Sequence, residues 1–168
     1  NKTKEVFYNG VDNPLSIRNY ITVKKFIEKR FNKKIAIAVV QDGAAGEYPQ
    51  CFLNINRKNA KKKVILDTLK SVKQKMEILK PEKYISTTPS GIIAGKFSAL
   101  NNLVAKPRFN YVKKYLKKKN CEIINISGGG TATKINGKWT INKTSNNFND
   151  EKIIIKKYLK KKYFYEND

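Results

Sequence analysis

The sequence predicts an α+β fold, in which helices pack on a mixed or antiparallel sheet of about five to seven strands. Ile35–Val40 is a short, continuous β-branched run, as expected of a buried strand. Apolar residues between 65 and 79 recur at helical spacing. Two β-rich arms flank Asn136-Gly137 and predict a two-residue hairpin over 131–141. A length of 168 residues fits one domain, 1–168, with 151–168 as a candidate C-terminal appendage.

The amino-terminal region predicts a strand, a turn and a helix. Val6–Tyr8 is rich in β-forming residues, and Asn9-Gly10 after it predicts a turn. Thr22 is a candidate N-cap because its hydroxyl can accept a free amide of the first helical turn. The helix that it would begin carries an apolar face of Val23, Phe26, Ile27 and Phe31.

The next elements are a buried strand, a second strand and a long helix. Ile35–Val40 is expected at the centre of the sheet, and Cys51–Ile55 as a strand antiparallel to it. Asn59 is a candidate cap for the long helix, which Pro81 ends. The stripe along this helix (Ile65, Leu69, Val72, Met76 and Leu79) predicts packing on the sheet. As an open alternative, the same stripe could serve a protein–protein adaptor.

A candidate anion site lies between residues 84 and 104. Tyr84-Ile85 predicts a strand, Thr88–Gly91 a turn, and the apolar spacing from Ile92 a helix with Ser90 as its N-cap. The free amides at such a helix start favour a bound anion, and Lys96 follows one turn later.

Beyond this segment the sequence alternates basic helices with strands. Pro107 begins a short helix with Phe109, Val112, Tyr115 and Leu116 inward and lysines outward. Cys121–Ile126 predicts another strand, and the 131–141 hairpin follows. Asp150 is a candidate cap for a C-terminal helix.

The charge of the chain indicates a polyanionic partner. Lysine and arginine number 36 against 13 acids, which gives a formal net charge of +23. Glu122 is the one acid between Lys83 and Asn149. A segment that cannot neutralise itself projects positive potential, which is the footprint of nucleic-acid-binding proteins.

We therefore expect a non-catalytic, RNA-binding component of a large ribonucleoprotein assembly such as a ribosome, in contact with other proteins of that assembly. An architectural protein of a virion or of chromatin, bound to DNA, is the alternative within the same class. The candidate residues for phosphate contact are Ser90, Gly91, Lys96, Arg108, Lys113, Lys117, Lys118, Lys134 and Lys138.

Several kinds of chemistry are not expected. The chain has no histidine and two cysteines, so neither a zinc site nor histidine acid–base catalysis is predicted, and we expect no metal and no cofactor. Gly91–Lys96 lacks the glycine spacing of a P-loop. Without a secretory signal or a membrane-spanning run, we expect an intracellular location in the cytoplasm, an organelle matrix or a virion.

One short segment resembles an enzyme family. Tyr84–Thr88, with Ala94 and Phe97 after it, resembles the serine–threonine strand of ADP-ribosyltransferases, which use NAD. The resemblance implies that Ser86 and Thr88 help to shape a nicotinamide pocket. It also implies that Glu151 takes the position of the catalytic glutamate. Arg57 is the candidate for the arginine that holds NAD.

Overall fold

The computed structural model describes residues 5–11, 15–41, 48–87, 93, 95–117, 121–126 and 130–142. The chain divides into two compact units. The first comprises Asn1–Gly46, Lys62–Pro89 and Ala105–Asn125. The second comprises Glu47–Lys61, Ser90–Val104 and Ile126–Asp168. The elements are β1 (Val6–Gly10), α1 (Ile17–Phe31), β2 (Ile35–Val40), α2 (Arg57–Leu79), β3 (Lys83–Ser86), a 3₁₀ helix (Gly95–Leu103), α3 (Phe109–Leu116), β4 (Glu122–Ile124), β5 (Thr131–Ile135) and β6 (Lys138–Asn142).

The first unit is built on a four-stranded parallel sheet in the order β1-β2-β3-β4. The α+β class agrees with the sequence prediction. The prediction of a mixed or antiparallel main sheet was wrong. A helix lies between each strand and the next along the chain, so each strand re-enters the sheet in the same direction. The antiparallel pair β5-β6 forms a separate two-stranded sheet in the second unit.

One face of the parallel sheet carries the core of the first unit. Ala38, Tyr84 and Ile123 are neighbours across β2, β3 and β4, so their side chains share this face. All three join one cluster with buried residues of α1, α2 and α3. The strand order never reverses, and right-handed crossovers place consecutive helices of such a sheet on the same side. The three helices therefore cover this face.

The opposite face of the sheet is mixed, because Val39 and Ile124 on it are buried whereas one row of it carries charged residues. Phe7, Ile37, Lys83 and Glu122 form a row across the four strands. Lys83 and Glu122 make an ion pair, and Phe7 is 60% exposed. The row shows that this face lacks a continuous apolar cover at its β1 end.

The N-cap of α1 is Ser16, six residues before Thr22, which corrects the predicted cap. The Ser16 hydroxyl accepts the amide of Asn19, and Thr22 lies inside the helix, where its hydroxyl donates to the Arg18 carbonyl. The predicted inward face is also only partly correct. Tyr20 and Ile27 are buried, whereas Phe26 is exposed, because it projects about 100° from Ile27 around the helix.

Helix α2 carries the predicted apolar stripe into the core. Leu69, Val72, Met76 and Leu79 are buried, and Ile65 packs against them. The stripe is thus covered within the protein, which removes the surface that the adaptor alternative required. The cap is Asn56, whose side-chain oxygen accepts the Asn59 amide, so the predicted cap Asn59 lies inside the helix.

Two further predictions were wrong in the second unit. Cys51–Ile55 forms turns and bends instead of a strand, and the Phe52 carbonyl accepts the Arg57 guanidinium at 2.6 Å. A 3₁₀ helix at Gly95–Leu103 replaces the predicted α-helix. The 131–141 hairpin is confirmed, with φ of 48° at Asn136 and 77° at Gly137, as a type I′ turn requires. The predicted C-terminal helix lies outside the described residues.

The buried stripe of α2 provides a test of the core with a control on the same helix. We expect Leu69→Ala to lower the free energy of unfolding by about 2–5 kcal/mol, because the deleted atoms leave a cavity at a fully buried site. Leu66 is 39% exposed, so Leu66→Ala should cost less than about 1 kcal/mol. Urea unfolding followed by circular dichroism measures both changes. Equal losses would contradict the described orientation of α2.

Candidate nucleic-acid interface

Helix α3 brings several predicted cations to one surface. Val112 and Leu116 are buried, and they fix the rotation of the helix against the core. Asn110, Lys113, Lys114 and Lys117 follow the i, i+3, i+4, i+7 spacing of one helix face, and all are exposed. We call Lys113, Lys114 and Lys117 the α3 basic face. These lysines are exposed because Val112 and Leu116 pack the other side of the helix against the core.

The α3 basic face has no carboxylate partner among the residues that the structure describes. Glu122 is the one acid between Lys83 and Asn149, and it forms an ion pair with Lys83. Arg108, just before the helix, is exposed and likewise forms no ion pair with a described acid. The acids of the described residues therefore leave the positive potential of this surface uncompensated.

An aromatic side chain stands next to these cations. Tyr111 is 47% exposed, although its helix neighbours Val112 and Leu116 are buried. Arg108 precedes Tyr111 by three residues and Lys114 follows it by three, so both lie next to its ring along the helix surface. An exposed aromatic ring between cations can stack on a base while the cations contact phosphates.

Lys96 lies in the second unit, on a segment closed by Asn101. The Asn101 side chain accepts the Ile93 amide at 3.0 Å and donates to the carbonyls of Ile93 and Ser98. Lys61 donates to the neighbouring Asn102 carbonyl at 2.7 Å. The bonds between Asn101 and Ile93 hold the two ends of the segment 93–101 together. Lys96 is exposed within this segment. Ser90 and Gly91, the predicted helix start, lie outside the described residues.

The hairpin separates its two predicted lysines. Lys134 pairs across the strands with Trp139, and its ammonium lies 5.5 Å from the centre of the Trp139 ring. Lys138 pairs with Ile135, one position further toward the turn. Neighbouring positions of a strand point to opposite faces, so Lys134 and Lys138 do not form a common surface.

The nine predicted phosphate contacts thus fall into separate groups. The first unit places Lys113 and Lys117 on the α3 basic face and Arg108 just before the same helix. Lys96, Lys134 and Lys138 belong to the second unit. Lys118 lies outside the described residues, like Ser90 and Gly91. The sequence interpretation missed the exposure of Phe26 and Phe31 on α1, which it placed in the core.

No metal-binding or membrane-spanning feature emerges in the part of the chain that is described. Its cysteine and acidic residues form no group suited to a metal ion. Among its helices none has the length and apolarity to cross a bilayer. Of the residues implied by the ADP-ribosyltransferase resemblance, Thr88 and Glu151 lie outside the described residues, Ser86 ends β3, and the Arg57 guanidinium donates to the Phe52 carbonyl.

The hydrogen bonds that Asn101 makes to Ile93 and Ser98 can be tested by hydrogen exchange. Asn101→Ala removes three hydrogen bonds at once, so we expect the Ile93 amide to exchange at least tenfold faster with solvent deuterium. Asn102→Ala is the matched control, because Asn102 contributes its backbone carbonyl to this region. Hydrogen exchange read by mass spectrometry compares them, and similar exchange in both variants would refute the role of Asn101.

The two cysteines should differ in reactivity. Cys51 is exposed, whereas burial raises the pKa of the Cys121 thiol to about 12. The thiolate is the reactive form, so the raised pKa leaves little of Cys121 ionised at pH 8. We expect one rapidly reacting thiol in a disulfide-exchange assay of the native protein, and its loss in Cys51→Ser. Two rapid thiols would contradict the burial of Cys121.

Comparison of the chain with protein-family models, with curated proteins and with solved structures finds no match. We therefore infer its function from the charges and contacts described above.

Proposed function

We propose that the protein binds RNA without catalysis, as a component of a ribonucleoprotein assembly, and that the α3 basic face is a principal contact. The observation that carries this proposal is the exposed set of Lys113, Lys114 and Lys117, for which the described part of the chain supplies no carboxylate. The formal charge of +23 supports the same class of partner.

The chemistry of the face suits phosphate contact more than base reading. Lysine is a compact charge on a flexible stem, so it follows phosphates without imposing the fixed fork of an arginine. Side chains cannot read the deep, narrow major groove of an RNA helix, and proteins recognise such helices mainly by shape and backbone. A rigid helix with lysines on one face fits that mode of binding.

Binding of an anionic ligand should increase the stability of the folded protein. Lys113 and Lys117 are four residues apart on one helix, a spacing at which like charges repel by a few tenths of a kcal/mol. An anionic backbone placed against them replaces repulsion with attraction. Binding should therefore stabilise the first unit in addition to ordering the RNA.

The test is the salt dependence of binding to a labelled RNA hairpin, measured by fluorescence anisotropy between about 50 and about 200 mM salt. We expect a steep linear fall of log K with log salt concentration. Each phosphate contact removed lowers that slope by nearly one, so Lys113→Gln/Lys114→Gln/Lys117→Gln should reduce it by about two to three.

A second triple variant separates local contact from net charge. Lys70→Gln/Lys73→Gln/Lys80→Gln changes the charge equally on and just after α2, in the same unit, and should leave most of the slope intact. Equal losses in the two variants would contradict the α3 site. Absence of binding at low salt would contradict the whole proposal, and stronger binding to a matching DNA duplex would favour the architectural DNA-binding alternative.

A further inference from the structure

Two phenylalanine rings lie exposed at the C-terminal end of α1. Phe26 is 61% and Phe31 49% exposed, and both belong to the first unit. Their ring centres are 6.3 Å apart and their planes are nearly perpendicular, at 86°. The two rings therefore hold each other in an edge-to-face pair, which fixes their geometry without burying them.

The core of the first unit does not depend on these rings. Tyr20 and Ile27 supply the fully packed positions of α1, with Val23 beside them. After Phe31 the helix ends at Asn32, whose left-handed conformation (φ 47°) lets its amide bond to the Glu28 carbonyl. This cap sets where the chain leaves the helix next to Phe31. Packing thus explains the position of the rings but gives no reason for their apolar character.

The rings are surrounded by cations. Lys29 and Arg30 follow Phe26 by three and four residues and share its side of the helix, and Lys25 precedes it. Lys33 and Lys34 extend the basic run beyond the cap, and all five cations are exposed. The acid of this helix, Glu28, pairs with Lys24 at 3.1 Å. Within the described ranges the five cations form no ion pair.

Cations at the end of a helix have an ordinary structural role. Lys29 and Arg30 lie in the last turn, where positive charge stabilises the helix dipole. That role does not extend to Lys25, a turn and a half earlier, nor to Lys33 and Lys34 outside the helix. It also gives no account of two exposed aromatic rings between the charges.

We propose that this α1 aromatic surface, formed by Lys25, Phe26, Lys29, Arg30, Phe31, Lys33 and Lys34, binds unpaired bases of single-stranded RNA. The proposal rests on the proposed RNA-binding function and names the part of the RNA that this surface takes. A base stacks on an exposed Phe face, and the cations on either side contact the flanking phosphates.

The geometry favours a single strand over a duplex. Bases within a duplex are stacked on one another and offer their edges, so the face of a protein ring finds no partner there. The surroundings also argue against insertion into a lipid bilayer. Tyr20 and Ile27 of α1 are already buried in the core, and the exposed side around Phe26 carries the cations Lys29 and Arg30.

The test compares a labelled single-stranded oligonucleotide with a perfect RNA duplex of the same length. Phe26→Leu/Phe31→Leu keeps apolar side chains but removes the aromatic faces. We expect its affinity for the single strand to fall about 10- to 100-fold and its affinity for the duplex to change less than about twofold. Phe7→Leu, at an equally exposed ring on the sheet of the same unit, is the matched control and should change neither.

A fluorescent variant gives a direct reading of stacking. Phe26→Trp, in a Trp139→Phe background that removes the one natural tryptophan, should retain single-strand binding and be quenched by the single strand but not by the duplex. Thermal unfolding should be almost unchanged in Phe26→Leu/Phe31→Leu and in Phe7→Leu, because the replaced rings are exposed, and Phe26→Trp is compared with Trp139→Phe alone. Absence of quenching would overturn the proposal.

The outcomes separate this inference from the RNA-binding function itself. If the unmodified protein binds neither RNA, the proposed function fails. If it binds both and Phe26→Leu/Phe31→Leu binds the single strand equally well, the stacking site alone is wrong. If that variant loses binding to vesicles rich in phosphatidylserine while its RNA binding is unchanged, the surface is a membrane contact and the inference is overturned.

Discussion

The burial of three helices against one face of the parallel sheet determines where the charge of this protein lies. Each helix has its own buried residues, such as Tyr20 on α1, Leu69 on α2 and Val112 on α3, and all three belong to one cluster with Tyr84 of the sheet. A helix that buries one stripe must turn the opposite side outward. The outward direction of the lysines on α1 and α3 is thus a consequence of how the core packs.

The same packing draws one cation toward the interior. Lys75 of α2 lies with its ammonium 5.4 Å from the centre of the Tyr20 ring, and burial lowers the pKa of this lysine. The Tyr20 phenol is itself buried, and its pKa is raised, chiefly by desolvation. The ring face offers the ammonium a favourable electrostatic contact that a carboxylate would otherwise provide. In a chain with few acids, an aromatic side chain here compensates a partly buried charge.

The sequence predicted the elements whose signals are local. The hairpin rests on Asn136-Gly137, and α2 on a stripe of regular spacing, so both could be identified without knowledge of tertiary contacts. A continuous apolar run such as Ile35–Val40 is typical of a parallel strand buried on both faces, so this signal for the direction of the main sheet was present in the sequence and was not used. The predicted cap of α1 was wrong for a different reason. Ser16 and Thr22 both carry a hydroxyl that can cap a helix, and the burial of Tyr20, which requires a helix that begins before it, selects Ser16.

The candidate site was predictable to the extent that periodicity fixes the direction of a side chain. Lysines on α3 follow the helix repeat, whereas Lys134 and Lys138 are divided by the strand repeat once the hairpin register is known. The strand order also places α2 between α1 and α3 on one side of the sheet. Packed helices lie about 8–10 Å apart, so the axes of α1 and α3 are separated by about 16–20 Å. A single RNA in contact with the α1 aromatic surface and the α3 basic face must therefore offer unpaired bases at one point and a phosphate backbone at another, a combination that a stem with an adjoining loop provides and a uniform duplex does not.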